Sequence, residues 1–166
     1  LVAQAARAAG AGCVVVVEPE AGRRALAASV GADQVLDPRA HENLAEAVTA
    51  AAGHAGADVV FECAGIPATI EQSVSLVRRG GVVSLVGVPN RPAEIQAAGW
   101  LVKEVRLTAS LAYLHEEFAI TQALVADGRL RCAPLNTETV TLAGLADAFA
   151  RLADAPEQVK VLVNPR

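Results

Sequence analysis

Short β-branched runs alternate with alanine-rich stretches along most of this chain, and glycine or proline closes nearly every one. Residues 14–17 (VVVV) lie between Gly12 and Pro19, and residues 58–63 (DVVFEC) and 82–88 (VVSLVGV) repeat the pattern. Residues 34–36, 105–111 and 159–163 supply further strand-like runs. Residues 1–9, 21–30, 41–52, 68–78, 116–126 and 143–152 are helical in composition, and several stop at a glycine or a glycine pair. Strands alternating with helices of this length predict βαβ units, hence an α/β, Rossmann-like doubly wound parallel sheet. Strands covered on both faces need not alternate apolar with polar residues, so residues 14–17 are predicted to be fully buried.

The 166 residues are 53% hydrophobic and 19% charged, which suits one folded domain with a real core. The net charge of −4 gives no reason to expect nucleic acid or an anionic membrane as partner. No apolar run has the length of a bilayer span, and nothing near Leu1 reads as a signal peptide. Cys13, Cys63 and Cys132 are odd in number and far apart, which predicts neither disulfides nor a zinc spacing and suits a reducing cytoplasm.

The valine run ends on Glu18. In an open α/β sheet, ligands bind beyond the carboxyl ends of the strands. A carboxylate there can accept two O–H donors at once, as from the adenosine ribose of a dinucleotide, and it repels a 2′-phosphate, favouring NAD over NADP. The same acid would also suit the ribose of S-adenosylmethionine in a methyltransferase, and a solvated acid at a strand end is common. The glycine-rich phosphate loop lies about 20 residues before such an acid. Counting back from Glu18 passes Leu1, and "LVAQAARAAGAG" reads as the inside of a helix, so the first strand and its loop are expected to precede these residues in a longer protein. Gly10 and Gly12 follow a helix and are not that loop.

Several stretches together resemble one family. "AARAAGAGCVVVVEPEAGRRALAASVGADQVLDP" (5–38), "ADVVFECAGIPATIEQSVSLVRRGGVVSLVGVP" (57–89), "VKEVRLTASLAY" (102–113) and "KVLVNP" (160–165) are similar, in this order, to the cofactor-binding part of the medium-chain, zinc-type alcohol dehydrogenases. "VVVVEPE" and "FECAG" look most like the butanediol, sorbitol and threonine dehydrogenase branch. The resemblance implies roles residue by residue. Glu18 would accept the ribose hydroxyls, with Arg23 as the basic neighbour and Arg24 as its rival. Cys63 and Ala64 would pack along the cofactor at the end of the family's fourth strand. Gly87 and Val88 would offer backbone to the nicotinamide amide at the end of the fifth. Ser110 and Leu111, in the sixth strand, would line the nicotinamide end, and that strand would pair across a homo-oligomer axis.

It further implies that residues 1–128 form an incomplete dinucleotide-binding domain and that residues 129–166 pack on a catalytic domain outside this chain. The parent enzyme would pass hydride from a small secondary alcohol or polyol to NAD, with zinc bound by ligands that this chain lacks. The chain alone is expected to be inactive. A zinc-free quinone-oxidoreductase-like relative and a non-catalytic nucleotide-binding module stand as alternatives. His41, His54 and His115 show no motif spacing and are expected at the surface. Cys63 is expected to be buried packing rather than a nucleophile. Glu62 is an acid inside an apolar strand, which either faces the cofactor edge or pairs locally.

Overall fold

The computed structural model describes residues 1–166 except His54, Ala153, Pro156, Glu157 and Arg166. In chain order the elements are α1 (Val2–Ala8), β1 (Val15–Val17), α2 (Ala21–Ser29), β2 (Gln34–Leu36), α3 (Leu44–Ala52), β3 (Ala57–Glu62), α4 (Pro67–Leu76) and β4 (Val77–Leu85). They continue with α5 (Ala97–Lys103), β5 (Arg106–Ala109), α6 (His115–Ala126), β6 (Asn136–Thr141), α7 (Leu145–Leu152) and β7 (Lys160–Asn164). The strands form three parallel sheets, in the orders β1-β2, β3-β4-β5 and β6-β7. The chain divides into two compact units.

The unit of residues 41–114 carries the three-stranded sheet. Asn43 starts α3 because its side-chain oxygen accepts from the Ala45 and Glu46 amides at 3.1 and 3.2 Å, while its amide donates to Glu46 Oε1 at 2.7 Å. That cap explains why the helix begins three residues later than its composition suggests. Pro67 opens α4, where its missing N–H and fixed φ are no handicap. Val77 and Val83 on β4 are fully buried, packed with Ile70 and Val74 of α4 in the core. Burying such a side chain contributes about 1.5–3 kcal/mol. Lys103 ends α5 and donates to the Val74, Ser75 and Val77 carbonyls at 2.8–2.9 Å, satisfying the last turn of α4.

The glycine pair corrects the sequence reading. Gly80-Gly81 was expected as a turn between helix and strand, but α4 stops at Leu76 and β4 runs through both glycines. Val77 pairs with Ala57 and Val82 with Val59, so the pair sits in an irregularity of the strand. Gly80 has φ +69°, and a Cβ on Gly81 would lie 2.9 Å from the Asp58 carbonyl oxygen. Only glycine allows both without strain.

The unit of residues 1–40 and 115–166 holds the two-stranded sheets. Gln4 is buried and pairs with the backbone of Arg131 through both ends of its amide, at 3.1 and 2.7 Å. Asp33 receives the Val14 amide at 2.7 Å and an ion pair from Arg7, tying α1 to the start of β1.

The full burial expected for residues 14–17 is not found. Val14 is buried but Val15, Val16 and Val17 are only half-buried, and Val59 and Phe61 of β3 are 44% exposed. Among the described residues β1 pairs with β2 alone and β3 with β4 alone, so each has a bare edge and open apolar surface. α5 and β6 went unassigned in the sequence. The first is seven residues with Gly99 inside it, and the second, NTETVT, is mostly polar.

Candidate cofactor site

β3, β4 and β5 run parallel, so their carboxyl ends share one edge of the sheet. The six residues read from the sequence within this unit all fall just beyond that edge. Cys63 and Ala64 follow β3, Gly87 and Val88 follow β4, and Ser110 and Leu111 follow β5. Each is one to three residues past the strand end rather than within the strand. The Ser110 amide still donates to the Leu85 carbonyl at 2.9 Å, and Leu111 lies beyond the last pairing. Val88 and Leu111 are 74% and 83% exposed.

Cys63 is exposed, not buried as expected, because β3 ends one residue before it and the thiol turns out with the loop. Partial desolvation, and then the neighbouring Glu62 carboxylate, push its pKa up. A thiol held protonated is a poor nucleophile, which disfavours a reactive role, but its exposure removes the expected packing role as well.

Glu18 follows β1, and its amide donates to the Leu36 carbonyl of β2 at 3.0 Å. Its Oε1 accepts from the Glu20 amide at 2.9 Å, which curls the turn around Pro19. Oε2 makes no hydrogen bond among the described residues, and the side chain is half-buried. The carboxylate is therefore fixed by one oxygen and open at the other, which suits it to accept ligand hydroxyls.

The turn is braced by Arg24, the rival that the sequence offered to Arg23, and by Asp37 and Arg39, which the sequence reading did not assign to it. Arg24 Nη1 donates to the Glu18 and Pro19 carbonyls at 2.8 and 2.6 Å and pairs with Asp37 at 3.1 Å. Arg39 donates to the Pro19 carbonyl and pairs with Asp37 at 3.1 Å. The Arg39 guanidinium and then its amide hold the Asp37 carboxyl below the usual carboxylate range. Arg23 points elsewhere and donates to the Gln158 carbonyl at 3.1 Å. Its rival Arg24 is thus the arginine against Glu18. The signal was present in "DPR", residues 37–39, which had served only as a strand stop.

A shallow cavity of about 320 Å³ is lined by Pro67, Ala68, Glu71, Pro92 and Glu94, none of them a residue read as touching cofactor. Among the described residues no three of His, Cys, Asp and Glu cluster as a metal site would require. The donor set of the described residues does not fit zinc. His115 is exposed as expected, His41 is half-buried, and His54 lies outside the described residues.

The fold is α/β and Rossmann-like, with parallel strands whose carboxyl ends form an edge of the kind at which such sheets bind ligands. The sequence profile of the zinc-binding dehydrogenases matches residues 1–127, and the chain belongs to that family. It is 33% identical over 134 residues to L-threonine 3-dehydrogenase of Thermococcus kodakarensis, covering 80% of this chain and 38% of that one. The structure of 2R,3R-butanediol dehydrogenase from Bacillus subtilis matches with a TM-score of 0.90 at 28% identity, over 99% of this chain and 47% of that one. A zinc-binding dehydrogenase from Sinorhizobium meliloti 1021 bound to NADP matches with a TM-score of 0.81 at 31% identity, over 98% and 48%. The chain spans less than half the length of the curated relatives it matches. Family membership sets the methyltransferase alternative aside. No helix of the described residues is long and apolar enough to cross a membrane.

Proposed function

We propose that these residues hold the dinucleotide of an NAD-dependent dehydrogenase acting on a small secondary alcohol or polyol. The observation that carries this reading is the half-open carboxylate of Glu18 at the carboxyl end of a parallel strand. Glu18 takes the adenosine ribose hydroxyls through its open oxygen, and its charge disfavours a 2′-phosphate. Cys63 and Ala64 pack along the cofactor, Gly87 and Val88 present backbone to its carboxamide, and Ser110 and Leu111 border the nicotinamide. When bound, the cofactor supplies the hydride acceptor, and these residues bind and orient it. No residue of this chain is given a catalytic role, and zinc ligation and proton transfer are left to residues outside it.

β5 supports a second element of the reading. All four of its residues are exposed, Leu107 at 45%, and among the described residues it pairs with β4 alone. Such an edge is suited to continue into a second copy of the chain. Residues 129–166 are assigned to supporting the catalytic domain, and the protein to the cytoplasm.

The test is a titration of the whole protein with NAD and NADP. NAD is expected to bind more tightly by about tenfold or more, the size of one lost charge-assisted contact plus repulsion. Glu18→Ala is expected to narrow that ratio towards one. Equal affinity of the wild-type protein for the two cofactors would overturn the ribose assignment.

A further inference from the structure

Glu62 is 3% exposed, and the cofactor reading gives its carboxylate nothing to do. Its surroundings show what occupies it. Oε1 accepts from the Ala64 amide at 2.9 Å, the Gly65 amide at 3.0 Å and the Thr69 hydroxyl at 2.7 Å, and Oε2 lies 3.2 Å from the Gly65 amide. These donors belong to the loop after β3 and the first turn of α4. The main-chain carbonyl of the same residue accepts from the Val86 and Gly87 amides, both at 2.8 Å, in the loop after β4. One residue thus grips two loops, the first by its side chain and the second by its backbone.

The loops also interlock. Gly65 has φ +65°, and a Cβ there would lie 2.7 Å from the Val88 carbonyl oxygen. A Cβ on Gly87 would lie 2.8 Å from Gly65 Cα. The backbone of Ala64–Gly65 therefore rests directly on that of Gly87–Val88, and a shift in either loop displaces the other.

The chemistry of the grip calls for a carboxylate. The groups facing the two oxygens can all donate, although the Thr69 hydroxyl shares its one proton with the Ile66 carbonyl at 2.8 Å, and a carboxylate accepts only. Glutamine at the same place would turn its NH2 towards the Gly65 N–H. Aspartate would fall one methylene short.

We infer that Glu62 is a positioning residue for dinucleotide binding, holding the backbone of residues 63–65 and 86–88 as one rigid edge. This rests on the reading of those loops as cofactor contacts. Glu62 itself touches no cofactor. Its loss should weaken NAD and NADP alike, because the choice between them is made at Glu18.

The test uses Glu62→Gln, Thr69→Val and Thr69→Ser in the whole protein, with dissociation constants for both cofactors and amide exchange at Ala64, Gly65 and Gly87. E62Q is expected to weaken both cofactors by about tenfold, the scale of one hydrogen bond to a buried charge, with their ratio unchanged and the three amides exchanging faster. T69V, which keeps volume and loses the donor, should shift both readouts the same way by a smaller factor. T69S, which keeps the hydroxyl, should stay with wild type. Faster exchange with unchanged affinity would overturn the inference, as would unchanged exchange in E62Q. If E62Q does not fold, the T69V and T69S pair decides on the same terms. A wild-type protein that binds neither cofactor would instead sink the cofactor reading, while the exchange data would still report on the grip.

Discussion

Glu18 and Glu62 are the same residue type, each at the carboxyl end of a parallel strand. Their surroundings give them opposite uses. Glu62 is buried and meets three backbone or hydroxyl donors from its own neighbourhood, so nothing remains for a ligand. Glu18 is half-buried and meets one, leaving an oxygen open. Position at the ligand edge does not by itself make an acid a ligand-binding group. The supply of internal donors decides. The bracing differs as well: neutral backbone and close-packed glycines around Glu62, but arginine–carboxylate pairs around Glu18.

The sharpest way to break this contrast is Gly87→Ala. The added Cβ meets the Gly65 backbone, not the tip of a flexible side chain, so the loops must separate. A loss of about 3 kcal/mol or more is expected in chemical denaturation, at the upper end of overpacking costs. A G87A protein of wild-type stability would show that the two loops are not interlocked.

Arg24→Ala is the matching lesion at the other end. It removes two hydrogen bonds to carbonyls and an ion pair with Asp37, with both side chains only about a fifth exposed. A loss of about 1 kcal/mol is expected, because part of that energy is returned by water. A loss as large as that of G87A would erase the distinction between a rigid edge and an ion-braced turn. Smaller again is the effect of Glu18→Ala on stability. Only the Glu20 amide loses a side-chain acceptor, and it is part-buried in a turn that water still reaches, so about 0.5 kcal/mol is expected from the same denaturation curves. Cofactor preference, not stability, should carry the mark of that change.

The fold was largely legible because glycine, proline and β-branched runs punctuate it. Gln34–Leu36 was bounded correctly, since Asp37-Pro38 stops the strand. The glycine pair at 80–81 was misplaced because a strand irregularity and a turn use the same residue for the same conformational freedom. β6 was missed because its residues NTETVT bury little, and its strand form depends on pairing with β7, distant in sequence. At the candidate site, the apolar runs placed the strands, while the six residues beyond their ends came from the family resemblance. The partners of Glu18 could not be read from either. Arg24 reaches its carbonyl and Arg39 that of Pro19 across a turn, and nothing in spacing tells which of Arg23 and Arg24 will point inward. Glu62 announced itself as an acid in an apolar strand, but its use depends on which way the following amides turn.

Asp37 supplies the gentlest probe of the contrast, through pH. Its carboxyl sits below the ordinary Asp range in the folded protein because the Arg39 guanidinium, and then the Arg39 amide, donate to it. A depressed folded pKa means that the unfolded chain takes up the proton first. The stability it contributes is therefore present above the ordinary Asp value and is lost as pH falls through the lower folded value. Unfolding curves from about pH 6 to about pH 3 should show a slope at the acid end that Arg39→Ala reduces. Salt near 1 M, with a screening length of about 3 Å, should weaken the same exposed pair. Salt should leave amide exchange at Ala64 and Gly65 unchanged at constant pH, because the donors to Glu62 are neutral main-chain groups. If salt loosens those two amides as much as it loosens the Glu18 turn, the two strand ends are braced by the same forces, and the contrast drawn from their hydrogen bonds fails.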